Sequence, residues 1–261
     1  MKGTRGVVAR VQEHGSSVRR LPASAYRVDE DANAKSKMRK VLVLDVNGVT
    51  CRKIYDRDRV LQKTADAYTP SGMALFKRPG IDDFLNSAVS QGWSIVFWSS
   101  AVRATVDAIR SALFPSIPVL CILSHENSPT DNHHVRIRAG KNWSIYKDLE
   151  MLWKEPLLAC DASSTIIVDD SWRKIRLQPQ NAVLVPSFAV NVETGTITSE
   201  QKETERGIVK ALSELVLEAG EDCDVRNVLA RRANSEGALS LGAESGERVQ
   251  IATIGPKQGS K

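Results

Sequence analysis

The apolar, β-branched run Val41-Leu42-Val43-Leu44 ends on a carboxylate, Asp45, and the chain then turns at Asn47-Gly48. A run this apolar, with no polar alternation, reads as a strand over 41–46 buried on both faces. Such strands belong to parallel sheets in α/β proteins. Asp45 then lies at the strand's carboxyl end, where open α/β sheets hold their ligands. A carboxylate there can attack phosphorus or hold a metal ion. A hydrolase of this design usually wants a second acid two residues on, and this chain has Asn47 there.

The same pattern recurs. Trp93-Ser94-Ile95-Val96-Phe97-Trp98 reads as a second buried strand ending at Ser99, and Val119–Leu123 as a third. Thr165-Ile166-Ile167-Val168 reads as a fourth and finishes on Asp169-Asp170, with Ala182–Val185 after it. Between them, Ile81, Phe84, Leu85 and Ala88 follow the helical period after Lys77-Arg78-Pro79-Gly80, and Gly92 stops that helix. Val102, Val106, Ile109 and Leu113 predict a helix over 101–113; further helices are predicted over 199–219 and around 224–232. Residues 50–75 read as a polar excursion over the sheet edge, and 124–146 as an insertion. Alternating strands and helices predict an α/β fold, a Rossmann-like, mostly parallel sheet with helices on both faces. Residues 1–38 read as a flexible lead-in, 39–232 as the domain, and 233–261, rich in Gly, Ser and charge, as a disordered tail.

Composition narrows the function classes. At 261 residues the chain suits one α/β domain. No apolar run approaches the roughly 18–20 residues that span a bilayer, so no transmembrane segment is expected. The net charge of +5 permits an acidic or phosphorylated partner. No zinc-finger spacing or basic-aromatic code points to direct nucleic-acid binding. Cys51, Cys121, Cys160 and Cys223 are widely spaced with no CxxC pair, which favours free thiols in a reducing compartment. Oligomeric state is not legible.

If the strands ending at Asp45 and at Asp169-Asp170 are neighbours, their tips form an oxygen-rich site for a hard divalent cation such as Mg²⁺. Ser99, at a third strand end, could bond a phosphate oxygen. Lys147, read as opening a short helix after the insertion, could reach in as a point charge. Simpler readings exist: an Asp before Asn-Gly can stabilise a turn, and Lys147 can be a solvated residue. The ordered set Asp45, Ser99, Lys147, Asp170 favours a site. His125, His133 and His134 lack zinc spacing and read as loop residues. Arg136, Arg138 and Lys141 read as a solvated charge run.

In this order, Asp-Val-Asn-Gly-Val-Thr, Lys-Arg-Pro-Gly-Ile-Asp-Asp-Phe-Leu, Ile-Val-Phe-Trp-Ser-Ser, Lys-Asp-Leu and Ile-Ile-Val-Asp-Asp-Ser resemble the haloacid-dehalogenase (HAD) superfamily. More narrowly they resemble the small phosphatases of the RNA polymerase II C-terminal domain, the NLI-interacting-factor-like phosphatases. The likeness runs over about 39–232 and includes Leu-Gln-Pro-Gln-Asn-Ala after the last motif. It implies that Asp45 is a nucleophile forming an aspartyl-phosphate, with Ser99 and Lys147 on the phosphate. It also implies that Mg²⁺ is held by Asp45, the Asn47 carbonyl and Asp170, with Asp169 beside them.

In that family the residue at position 47 is also the acid that protonates the leaving oxygen and later activates water, and an amide can do neither. The resemblance therefore implies a slow Mg²⁺-dependent phosphoserine/phosphothreonine phosphatase acting on a phosphorylated protein or peptide, unless Asp56, Asp58 or His125 lends an acid. The alternative is a degenerate binding module of the same fold, as in the presequence-receptor subunit of the mitochondrial inner-membrane translocase. That protein carries a membrane anchor ahead of the domain, which this chain does not show. The resemblance implies a nuclear or cytosolic location under the first reading and a mitochondrial one under the second.

Overall fold

A computed structural model describes residues 38–56, 58–125, 130–131, 144–234 and 250–251. The chain opens with β1 (Val41–Leu44), whose four residues are all buried. It then leaves the central sheet for β2 (Cys51–Tyr55), β3 (Ala67–Tyr68) and β4 (Met73–Lys77). These pair antiparallel in the order β2-β4-β3. The excursion over 50–75 is thus a small sheet rather than an irregular loop. Its core is Leu61, Ala74 and Phe76 against Phe188. Both faces of β4 are covered, Leu75 by the main core and Ala74 and Phe76 by this one, and strands of two to five residues broken by turns left no long run to mark them in the sequence.

Helix α1 (Ile81–Ser90) starts at Gly80, which takes the left-handed conformation, and carries Asp82 and Asp83 in its first turn, where the helix dipole favours acids. It buries Ile81, Phe84, Leu85 and Ala88, the predicted stripe, and ends before Gly92. β5 (Ser94–Trp98), α2 (Arg103–Leu113) and β6 (Val119–Leu123) follow. The insertion contributes β7 (Thr130–Asp131) and β8 (Ser144–Ile145), paired antiparallel. His133, His134, Arg136, Arg138 and Lys141 lie outside the described residues.

Helix α3 is one turn, Glu150–Trp153, so Lys147 precedes it rather than opening it. β9 (Thr165–Asp169), the one-turn α4 (Trp172–Ile175) and β10 (Ala182–Leu184) come next. The long α5 (Ser199–Glu221) begins with a reciprocal cap between Thr198 and Gln201, and α6 (Val225–Asn234) packs on it. β11 (Gln250–Ile251) adds an antiparallel edge beside β10, a pairing the sequence reading did not foresee. The rest of the expected tail, 235–249 and 252–261, and the lead-in over 1–37 lie outside the described residues.

The central sheet has the order β11-β10-β9-β1-β5-β6, parallel apart from β11. This is the mostly parallel α/β fold that was expected. From β1 the chain builds outward to β5 and β6 on one side, then returns to add β9 and β10 on the other. That reversal is a topological switch point, and it opens a crevice at the carboxyl ends of β1 and β9.

Alternate residues of the strands face opposite layers. Leu42, Leu44, Ile95, Phe97, Ile166 and Val168 pack into the core made with α1, α2, α5 and α6. Val41, Val43, Val96, Trp98 and Ile167 face Leu149, Leu152, Leu158 and Ile175, supplied by α3, α4 and their flanking loops. Each such buried side chain contributes about 1.5–3 kcal/mol. Helices do cover both faces, but the second layer is two single turns and loop. It is from that layer that two lysines reach the strand tips.

Candidate active site

Strand pairing puts the acids together. Leu44 is in register with Val168 of β9, and the Asp45 N–H donates to the Val168 carbonyl at 2.9 Å. One residue on, Asp45 and Asp169 are neighbours on adjacent parallel strands. Their side chains therefore share a face of the sheet. Asp170 is the next residue after β9. Oxygens of Asp45, Asp169 and Asp170 all lie within 4.8 Å of one another. Asp45 and Asp169 are fully buried, whereas the Asp170 side chain is 15% exposed and faces the way out.

Two ammonium groups hold these three carboxylates. Lys147, completely buried, donates from Nζ to Asp45 Oδ1 at 2.6 Å and to Asp169 Oδ2. Its backbone N–H donates to the Lys174 carbonyl at 2.6 Å, which draws the segment before α3 against α4. Lys174, which sequence reasoning missed, places Nζ 3.4 Å from Asp45 Oδ1, 3.5 Å from Asp169 Oδ1 and 3.5 Å from Asp170 Oδ1. The available signal was its spacing, four residues after Asp170 on a single turn of helix.

Burial pushes the Asp45 carboxyl up, and Asp169 adds to this, while Lys147 and Lys174 pull it part of the way back. Burial also raises Asp169, but Lys147, Lys174 and the Ser171 N–H at 2.8 Å outweigh it and hold it below the usual carboxylate range. Burial lowers Lys174, yet the three carboxylates outweigh that and keep its ammonium firmly charged. Protons on Asp45 and Asp169 belong to the pair, since one lysine bridges both. The donor set is hard carboxylate oxygen and fits a divalent ion of the Mg²⁺ type. It differs from the expected ligands in bringing Asp169 into the cluster.

The turn after Asp45 is shaped by Gly48 and Arg78. Gly48 has φ +101°, and a Cβ built there would lie 2.0 Å from Asp170 Oδ2 and 2.8 Å from Ser187 Oγ. Only glycine lets this backbone approach the third carboxylate. Arg78, from the Lys-Arg-Pro-Gly block, is fully buried. It bonds Glu205 of α5 at 2.6 Å, the Pro186 carbonyl at 2.7 Å and the Val49 carbonyl at 3.2 Å, with the Gly48 carbonyl at 3.4 Å. The guanidinium thus ties the turn to the rest of the domain, a function the sequence reading did not give it.

The other expected residues divide. Ser99 follows β5, and extension of the β1–β5 register sets it one step beyond Asp45 at the same rim. It is buried; its hydroxyl oxygen accepts from the Ala101 N–H at 3.2 Å, and its N–H donates to the Leu123 carbonyl. The Asn47 amide oxygen is engaged by the Lys53 N–H at 3.1 Å, at the base of the small antiparallel sheet. Asp56 is fully engaged: Val60 N–H and Leu61 N–H at 2.9 and 2.8 Å, and the Tyr68 hydroxyl, all donate to it. Burial raises it, but these bonds outweigh burial and hold its carboxyl low, so it is poorly suited to lending a proton. The His125 N–H bonds the Ala101 carbonyl at 2.9 Å, which keeps that residue near the Ser99 rim. A separate groove of about 500 Å³, between Phe76, Phe188 and the start of α5, includes none of the three acids or two lysines.

Among curated proteins, the mitochondrial import inner membrane translocase subunit tim50 of Neurospora crassa is 31% identical over 117 residues, 45% of this chain and 18% of that protein. An uncharacterized FCP1 homology domain-containing protein of Schizosaccharomyces pombe is 24% identical over 164 residues, 60% of this chain and 64% of that one. The chain thus spans less than two thirds of either relative. Among solved structures, Fcp1, described as an essential RNA polymerase II CTD phosphatase, aligns with a TM-score of 0.42 at 16% identity, over 76% of this chain and 55% of that one. The four cysteines are free, and no helix among the described residues is long and apolar enough to cross a membrane. The model of the NLI interacting factor-like phosphatases matches residues 40–217, more than half of the chain, and the chain belongs to that family.

Proposed function

We propose that this chain is an Mg²⁺-dependent phosphoprotein phosphatase of the C-terminal-domain type, acting on phosphoserine or phosphothreonine through an aspartyl-phosphate on Asp45. The observation that carries the reading is the Lys147 ammonium bridging Asp45 and Asp169 at the strand tips of the switch point. It fixes the orientation of Asp45 and sets positive charge directly against the carboxylate that would attack phosphorus. Asp45 attacks phosphorus, and the bond from phosphorus to the leaving oxygen breaks. The Ser99 hydroxyl, whose oxygen is already held by the Ala101 N–H, is left to donate its proton to a phosphate oxygen. Asp45, Asp170 and the Asn47 carbonyl would hold Mg²⁺, which when bound supplies charge neutralisation for the phosphoryl oxygens.

Asn47 limits the rate. Its amide has no proton to give the departing serine or threonine oxygen, and losing general acid catalysis costs about 10²- to 10⁴-fold. Water attacking the phospho-enzyme likewise lacks its base. Family membership and the retained Asp45, Ser99, Lys147 and Asp170 support this reading, together with a nuclear or cytosolic location. A second reading, a binding module of the same fold, is favoured by the engagement of the Asn47 amide with Lys53 and by the tim50 match. Clean mitochondrial localisation of a tagged chain would support it.

Hydrolysis of p-nitrophenyl phosphate by the wild type, Asp45→Asn and Asn47→Asp, with and without Mg²⁺, decides between them. Mg²⁺-dependent turnover that Asp45→Asn abolishes and Asn47→Asp raises is the expected result. An inert wild type whose activity Asn47→Asp restores assigns the chain to binding. Silence from all three overturns both the nucleophile and the metal.

A further inference from the structure

Lys147 and Lys174 do different things in the acidic cluster. Lys147 comes from the buried side and meets Asp45 and Asp169 at direct hydrogen-bond distance. Lys174 comes from the solvent side, with its side chain 20% exposed, and is the one that meets all three acids. Its distances, 3.4, 3.5 and 3.5 Å, are nearly equal and longer than the roughly 2.7–3.2 Å of a committed N–H···O bond. An ammonium at that spacing is shared among three acceptors instead of paired with one. It stands at the mouth of the space that the carboxylate oxygens enclose.

Lys147 holds the buried side of that space, and Lys174 holds the open side. The three carboxylate oxygens lie within 4.8 Å of one another. A Mg²⁺-type ion takes its oxygens at about 2.0–2.1 Å and keeps waters besides, which fills the volume the ammonium approaches. Two positive centres that close would repel each other strongly in a largely desolvated pocket. Lys174 also lies on α4, a single turn whose first residues, Trp172 and Arg173, are exposed while Ile175 anchors it to the core, so its flexible side chain can swing out without disturbing the sheet.

We propose that the Lys174 ammonium is the resident cation of this carboxylate triad, and that a divalent ion binds only by displacing it. The proposal rests on Asp45 and Asp170, two carboxylates of this triad, being metal ligands in the function proposed above. Metal affinity is then set by the release of Lys174 as well as by the ligands, and the site stays assembled without metal. The chain holds the triad in order through its own side chains and exchanges one cation for another when metal is plentiful.

The test uses the full chain and Mn²⁺ as the probe, followed by electron paramagnetic resonance of the free ion. The wild type is expected to bind weakly, and Lys174→Met to bind about tenfold or more tighter, because the competing charge is gone while most of the stem volume remains. Loss of a nearby charge alone would also tighten binding. A second readout therefore measures displacement: acetic anhydride labelling of Lys174 in the wild type, quantified by peptide mass spectrometry. Saturating Mn²⁺ is expected to raise its labelling several-fold, with Lys154, a remote exposed lysine, unchanged.

Equal Mn²⁺ affinity in wild type and Lys174→Met overturns the proposal and leaves the phosphatase reading standing. Labelling of Lys174 that does not respond to bound Mn²⁺ also overturns it, even if the variant binds more tightly. Absence of Mn²⁺ binding in both proteins overturns it together with the metal-dependent reading. Should Lys174→Met fail to fold, the labelling measurement on the wild type still decides.

Discussion

Arg78 offers the sharpest test of how the site is held. Substitution by methionine keeps most of the side-chain volume and removes every donor. Glu205, whose side chain is 11% exposed, would lose its 2.6 Å partner and be left as a buried charge. Breaking a buried pair from one side costs about 3–5 kcal/mol. The Pro186 and Val49 carbonyls would also lose a charged donor, at about 1–3 kcal/mol for each that water does not reach. Relaxation offsets part of that sum, so Arg78→Met should cost about 3–5 kcal/mol, a large share of the roughly 5–15 kcal/mol that holds a domain folded. Urea unfolding measures it as a fall in midpoint with an unchanged slope. Adding Glu205→Gln should recover about 1–2 kcal/mol, because the carboxylate charge that Arg78 had balanced is then gone. Arg78→Lys should restore little, since one ammonium cannot reproduce the planar fork. A loss under about 1 kcal/mol for Arg78→Met, or no coupling to Glu205, refutes the bracing role.

Two further outcomes follow from the same geometry. Gly48→Ala should lower divalent-ion affinity and phosphatase activity at least tenfold, because its Cβ would lie 2.0 Å from Asp170 Oδ2. Gly92→Ala, at a similar positive φ with nothing within 4 Å, should cost about 1 kcal/mol of stability and leave activity alone; equal effects from the two would show that strain, not the Asp170 approach, governs Gly48. Asp45 and Asp169 should respond oppositely in metal-free protein. Asp169 is held low, so its charge stabilises the fold above the ordinary carboxylate range and that contribution is lost as pH falls through its depressed value. Asp45 is held high, so its charge costs stability once pH rises past its raised value. At pH 7 Asp169→Asn should destabilise by about 3–5 kcal/mol and Asp45→Asn should stabilise by on the order of 1 kcal/mol. The Asp45→Asn gain should vanish in the acid range where Asp45 is protonated in both states. Urea midpoints across pH check both signs, and a destabilising Asp45→Asn at pH 7 contradicts the assignment.

Much of the frame was legible because burial on both faces leaves a strong signature. The runs at 41–44, 94–98 and 165–169 have too little polar character to sit anywhere but inside a parallel sheet, and the acids ending the first and third marked the rim. What stayed hidden depended on partners far along the chain. β2, β3 and β4 are short, and Phe188, which completes their core, comes from far along the chain. Lys147 is legible as a site residue from motif order, but its bridge between two acids depends on a backbone bond to Lys174 and on the pairing of two strands. Lys174 itself reads as one more charge on a polar helix. Arg78 carried a motif without a reason, since its acceptors lie on the turn, on the 186 loop and on α5. Local pattern finds elements and strand tips, while convergence of distant charges needs the register between strands.

The central claim is that the nucleophile is kept while the acid–base step is impaired, and rapid-quench kinetics with p-nitrophenyl phosphate tests it most directly. Nitrophenolate leaves with little need of a proton, so phosphorylation of Asp45 should outrun hydrolysis of the phospho-enzyme. The wild type with Mg²⁺ should give a burst approaching one equivalent of nitrophenolate per chain, followed by slow turnover. Mass spectrometry of the quenched protein should find one added phosphoryl group on the peptide containing Asp45. Asn47→Asp should shrink the burst as it speeds the steady state, and Asp45→Asn should remove both. Turnover with no burst and no phosphoryl group on Asp45, in a wild type no slower than Asn47→Asp, would contradict the claim.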